Sequence, residues 1–165
     1  MSKKKFDNLD CSVAQALSQI GEHWTLMILR NAMHGIRRFE DFQTELDISP
    51  TVLSSRLKSM VKNDILYQKK SKTDGRSVEY RLTQKGLDVY PVIVSLLDFG
   101  EKYMPSGNGP RIQLVEKRSG KPVRKVKVQS EDGRDLTPFD VKVVAGGGAD
   151  ERMKQLIDFR DKRKV

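Results

Sequence analysis

The sequence predicts an α+β fold in which short amphipathic helices lead into a two-stranded hairpin, followed by a small β-rich C-terminal extension. Three observations predict it. Apolar residues recur three and four apart along the front of the chain, and a helix–turn–helix order is legible over residues 39–62. Leu66 to Lys70 and Val78 to Leu82 alternate with a period of two around Lys72-Thr73-Asp74-Gly75-Arg76, whose Asp-Gly pair supplies the positive φ of a tight hairpin. After Met104 the pattern gives way to Pro105-Ser106-Gly107-Asn108-Gly109-Pro110 and then to short β-like runs. The expected organisation is a main domain over 1–104, a linker over 105–110 and an extension over 111–165.

In chain order, Val13, Leu17 and Ile20 mark a short helix. Trp24, Met27, Ile28 and Leu29 mark a second that ends near His34-Gly35, with Trp24 as a core anchor on its apolar stripe. Phe39, Phe42 and Leu46 share one face of a third helix. Arg37 and Arg38 stand at its start, where guanidinium groups and free amides suit a phosphate and where solvated surface is the alternative. In the connection Asp47-Ile48-Ser49-Pro50, Ser49 is placed to cap the next helix, and Pro50 falls where its missing donor costs nothing. Leu53, Leu57, Met60 and Val61 then project to one side, leaving Thr51, Ser55, Lys58, Ser59 and Lys62 on the other. From Gln84 to Met104 a long helix pattern is apolar nearly all round, with Pro91 expected to bend it or loosen its first turn. Such a helix is buried on two sides. The second cover is the same helix of a partner subunit, or the chain's own tail in a monomer.

The chemistry of residues 39–82 points to double-stranded DNA. The major groove, ~12 Å wide, admits one helix whose outer side must offer hydrogen-bonding groups to base edges, and Thr51 and Ser55 suit that task. From Ile48 to Gly86 there are nine Lys or Arg against three acidic residues, a field that favours phosphate. The candidate contact set is Arg37, Arg38, Ser49, Thr51, Ser54, Ser55, Arg56, Lys58, Lys62, Lys72 and Arg76. Taken singly, the lysines would read as a solvated surface; the order helix, turn, helix, hairpin is what turns them toward DNA. No Ser-His-Asp or Cys-His constellation, no metal-ligand spacing and no phosphate loop supports catalysis, so an enzyme is not expected.

These strings resemble the HxlR family of bacterial winged helix-turn-helix transcriptional regulators, relatives of MarR. The resemblance runs over residues 11–104 through Cys11-Ser12-Val13, Ile20 to Arg30, Gly35-Ile36-Arg37-Arg38-Phe39, Ile48 to Leu57 and Val78 to Gly86. It implies a homodimeric repressor or activator that sets the helix from Pro50 in the major groove of a palindromic operator, with a repressor expected. A small-molecule ligand at the dimer interface is the alternative trigger to a thiol. Some relatives use a cysteine at the position of Cys11 to detect electrophiles or oxidants, which implies a redox role for this thiol; a small buried apolar residue is the other reading. No second cysteine exists here, so switching would take an intersubunit disulfide, a mixed disulfide or an adduct.

The rest of the sequence sets limits. The chain has 165 residues, 37% of them apolar, and a net charge of +9, so one compact domain with an appendage and an acidic partner are expected. One cysteine, no apolar leader after Met1-Ser2-Lys3-Lys4-Lys5 and no long apolar stretch place it in the cytoplasm, off the membrane. In the extension, β-like runs fall at 112–116, 123–129 and 139–144, with turns at Ser119-Gly120 and Glu131-Asp132-Gly133. The extension resembles the ribbon-like tail of longer HxlR relatives, in which cysteines at such turns hold zinc. Ser119, Gln129 and Asp132 stand there instead, so neither a metal nor any other cofactor is expected. Residues 105–165 carry fifteen Lys or Arg against nine Asp or Glu, which leaves DNA backbone, the dimer or another partner open as the tail's target. Ala145 to Ala149 is a flexible glycine link, and Asp150 to Val165 is a charged helix or a frayed end.

Overall fold

A computed structural model describes residues 11–70 and 77–163. Four helices come first: α1 (Ser12–Ile20), α2 (His23–Met33), α3 (Phe39–Leu46) and α4 (Pro50–Lys62). An antiparallel pair follows, β1 (Leu66–Lys70) and β2 (Val78–Leu82), in a register that sets Leu66 opposite Leu82 and Lys70 opposite Val78. Then come α5 (Gln84–Leu87), α6 (Tyr90–Tyr103) and α7 (Glu151–Asp161). The tip of the hairpin, with Lys72 and Arg76, lies outside the described residues.

The apolar spacing that predicts α2, α3 and α4 is also what holds them together. Ile28 and Leu29 of α2, Phe42 of α3, and Leu53 and Leu57 of α4 are fully buried, joined by Ile65 and Leu66 at the start of the hairpin. Trp24 is partly buried against this core, as its place on the stripe predicts. Glu22 caps α2 by accepting from the Thr25 amide at 3.1 Å. Ser49 caps α4 by accepting from the Val52 amide at 3.4 Å, with Pro50 in the first turn. Asp47 ends α3 in the left-handed region at φ 47°, and this tight reversal brings α4 across α3.

The long helix expected from Gln84 to Met104 is two helices. Pro91 has no N–H to give to Leu87, and its ring crowds that carbonyl, so α5 stops at Leu87. The chain passes through Val89, which tucks into the core, and starts again at Tyr90. The β-like runs of the extension also differ from expectation. Among the described residues after β2 only isolated bridges form, Val115 with Pro122 and Gln129 with Asp135 among them. Both expected turns are present, with Gly120 at φ 67° and Gly133 at φ 83°. The runs 112–116 and 123–129 pair only across these two turns, 139–144 forms no bridge, and most of their apolar side chains stay exposed; a lone hairpin without a third strand is marginal in water.

The chain divides into two compact units, Met1–Lys125 and Val126–Val165. In the second, α7 is capped by Asp150, which accepts from the Met153 amide at 2.7 Å, and Ile157 is its buried residue. Of the two readings of this end, the helix is the one observed. Among the described residues no helix is long and apolar enough to cross a membrane.

Candidate nucleic-acid interface

Burial of Leu53, Leu57 and Met60 leaves α4 no freedom to roll, and the opposite side of the helix is thereby presented outward. Thr51, Ser55, Lys58 and Lys62 are all exposed on it. Ser54 is half-buried, and the Ser49 hydroxyl is engaged in capping. Arg56 faces away from that open side: it is half-buried, and its Nε lies 3.4 Å from Glu22 Oε2, an ion pair that ties the start of α2 to α4. Its place in the contact set is therefore geometrically different from that of Lys58.

The hairpin stands beside this helix, with Lys69 and Lys70 exposed on β1. Arg37 and Arg38 are fastened along its other strand. The Tyr80 amide donates to the Arg37 carbonyl at 2.8 Å, and the backbones of Arg38 and Glu79 form an isolated antiparallel β-bridge. Arg37 is exposed and Arg38 half-buried, so the start of α3 and the hairpin share one basic surface. Glu79 is the negative charge within it. Arg81 donates to Glu79 Oε2 from Nε at 3.0 Å and from Nη2 at 2.7 Å. These bonds hold the carboxyl below its ordinary range, helped by the charges of Arg81, Arg37 and Arg38 and opposed by desolvation. A carboxylate with a depressed folded-state pKa adds stability above its unfolded pKa, and that stability is lost as pH falls through the folded value. Glu79→Gln is accordingly expected to flatten the acid side of the stability profile, read as melting temperature between about pH 6 and pH 3. An unchanged acid limb would show that the Glu79–Arg81 pair does not contribute.

Two positioning residues escape sequence reasoning. Thr83 Oγ1 reaches the Asp64 carbonyl at 2.7 Å and accepts from the Gly86 amide at 3.1 Å. Lys85 Nζ donates to the Asn63 carbonyl at 2.9 Å, at the C-terminal end of α4, where a cation is favoured. Together they fix the end of α4 to the start of α5. The Thr-x-x-Gly cap spacing was visible in the sequence, but its target 18 and 19 residues upstream was not.

Cys11 is exposed at the N-cap of α1, with its carbonyl accepting from the Gln15 amide at 3.0 Å and no side-chain cap bond. Among the described residues no group of three or more His, Cys, Asp or Glu is placed to hold a metal ion.

A helix–turn–helix whose second helix shows hydroxyls and ammonium groups on its open side, next to a basic hairpin, defines a DNA-binding transcriptional regulator of the helix-turn-helix type. The profile of the HxlR-like helix-turn-helix family matches residues 19–108, and the chain belongs to that family. It is 36% identical over 137 residues to an uncharacterised HTH-type transcriptional regulator of Mycobacterium tuberculosis (strain ATCC 25618 / H37Rv), covering 83% of this chain and 87% of the relative. Among solved structures, the chain is similar to PA1607, described as a candidate transcription factor, with a TM-score of 0.80 and 32% identity over 86% of this chain and 99% of that one. A second candidate transcription factor, PA1374 from Pseudomonas aeruginosa, matches with a TM-score of 0.61 and 34% identity over 88% of this chain and 99% of that one.

Proposed function

We propose that this regulator is a homodimer that reads a palindromic duplex, with Thr51, Ser55 and Lys58 of α4 at base edges in the major groove. Arg37, Arg38, Ser49, Ser54 and Lys62 would serve the flanking backbone, and Lys72 and Arg76 the adjacent minor groove. The observation that carries the reading is the polar outer face of α4, held outward by a fully buried inner one. Dimerisation is supported by the outer side of α6, where Val92, Leu96, Phe99 and Tyr103 are 45–60% exposed, and by the exposed Val13 and Leu17 of α1. A two-fold protein presents two such helices to half-sites about one helical turn, ~34 Å, apart.

Gel-shift binding to genomic fragments followed by footprinting tests class and target together. A protected palindrome is expected, and Arg76→Ala should weaken all duplexes and reduce the salt slope by about one unit. An unchanged slope would remove Arg76 from the interface, and a monomer by light scattering at micromolar concentration would end the two-fold reading.

The exposure of Cys11 favours a thiol-gated trigger, because modification at the first turn of α1 adds bulk beside the apolar Val13 and Leu17. Diamide or methylglyoxal should lower operator affinity of the wild type and leave Cys11→Ser unaffected. Equal responses of the two proteins would leave Cys11 without a sensory role.

A further inference from the structure

We propose that a cleft separate from the DNA-reading face binds a small apolar carboxylate. The cleft has a volume of about 440 Å³ and is walled by α2, by α6 and by the segment 111–114. That size falls within the ~300–1,000 Å³ of ordinary ligand sites.

Its floor is apolar: Met27 comes from α2, Ile93 and Leu97 from α6, and Ile112 from the chain crossing over them. The polar groups on its wall are unequal. Glu101 is already neutralised, since its carboxylate accepts the Arg111 amide at 3.2 and 3.3 Å and lies 3.8 Å from Arg111 Nη1. Arg30 is not. It is half-buried, and its Nε and Nη2 donate to the uncharged Asn31 Oδ1 at 2.9 and 2.8 Å. Among the described residues it forms no ion pair. An uncompensated guanidinium at the wall of an apolar cleft favours a ligand with an apolar body and one anionic group, which would take the Nη1 side of the fork.

The cleft borders the surface assigned to the partner subunit and shares Leu96 with it, while its floor faces inward. The inward residues of α6, Ile93, Leu97 and Glu101, repeat every four positions, whereas Val92, Phe99 and Tyr103 lie on the outward side. Between them Gly100 opens the wall, and a Cβ added there would meet nothing within 4 Å. A larger side chain at Gly100 therefore fills the cleft without a clash in the fold.

The test is titration calorimetry of the full chain with octanoate, with 1-octanol as the uncharged counterpart. Its readout is binding, so it stands apart from the outcome of any DNA experiment. Octanoate is expected to saturate at one molecule per chain and to bind about tenfold more tightly than 1-octanol. Arg30→Met should remove that preference, and Gly100→Leu should abolish binding of both. Met27→Trp fills the cleft from the α2 wall and serves where Gly100→Leu does not fold. Absence of saturable binding, equal affinity for 1-octanol, or full octanoate binding by both filled variants would overturn the proposal. So would filled variants that change the oligomeric state instead of ligand binding, because the cleft would then belong to a second copy of the chain.

Discussion

Gly86→Ala is expected to destabilise the protein by about 1–3 kcal/mol or more, although the change adds a single methyl group at a helical position. A Cβ at residue 86 would lie 2.3 Å from the Ile65 carbonyl oxygen and 3.0 Å from Leu82 Cδ2. The carbonyl cannot step aside. It belongs to a fully buried residue and accepts from the Thr83 amide at 3.2 Å and from Thr83 Oγ1 at 3.1 Å. Relief would have to come from moving α5 away from the end of α4, at the cost of the Thr83 and Lys85 bonds that join them. Chemical denaturation monitored by circular dichroism measures the effect. A variant within a few tenths of a kcal/mol of wild type would show that this junction yields, against the ordinary behaviour of packed backbone.

Lys58→Glu is expected to weaken operator binding by roughly 30- to 100-fold, equivalent to about 2–3 kcal/mol, with folding stability nearly unchanged. Lys58 is exposed on the open side of α4, one turn beyond Ser55 and two beyond Thr51, and forms no ion pair among the described residues. Reversal replaces attraction to the polyanion by repulsion at the surface proposed to touch it. Lys154→Glu on α7 changes net charge by the same amount at a residue that is not in the proposed contact set. Gel-shift titration at fixed salt should show the first variant impaired and the second close to wild type. Equal losses would mean that only overall charge matters and that α4 holds no privileged place on the duplex.

Much of the fold was legible because its signals are local. The three-four spacing of Phe39, Phe42 and Leu46 and the Ser49-Pro50 start place α3 and α4 at the residues observed, and the alternation around Asp74-Gly75 places β1 and β2. The apolar pattern from Gln84 to Met104 runs further than the helix it suggests. Apolar periodicity continues through Pro91 while the backbone does not, and Val89 is apolar because it enters the core between two helices. The β-like pattern likewise runs further than the strands in the extension, where β-forming residues at 112–116, 123–129 and 139–144 find no third strand. Local pattern reports what a segment can form; a sheet needs neighbours that the pattern does not name.

The candidate site divides along the same line. Thr51, Ser55, Lys58 and Lys62 were assigned to the open side of α4 by helical periodicity alone, because burial of the opposite stripe follows from composition. The fate of the arginines was a tertiary matter. Arg56 turns to Glu22 of a neighbouring helix start, while Arg30 lines an apolar cleft and forms no ion pair among the described residues, the carboxylate of that cleft, Glu101, being taken by Arg111. A long cation reaches whichever partner lies within several ångströms of its root, and that partner comes from residues far away in sequence. By itself, then, the sequence determined the helices, the hairpin and the polar face of α4, through periodicity and capping. Only the tertiary structure decided which charges stay open and where the apolar cleft lies, since both depend on contacts between distant segments.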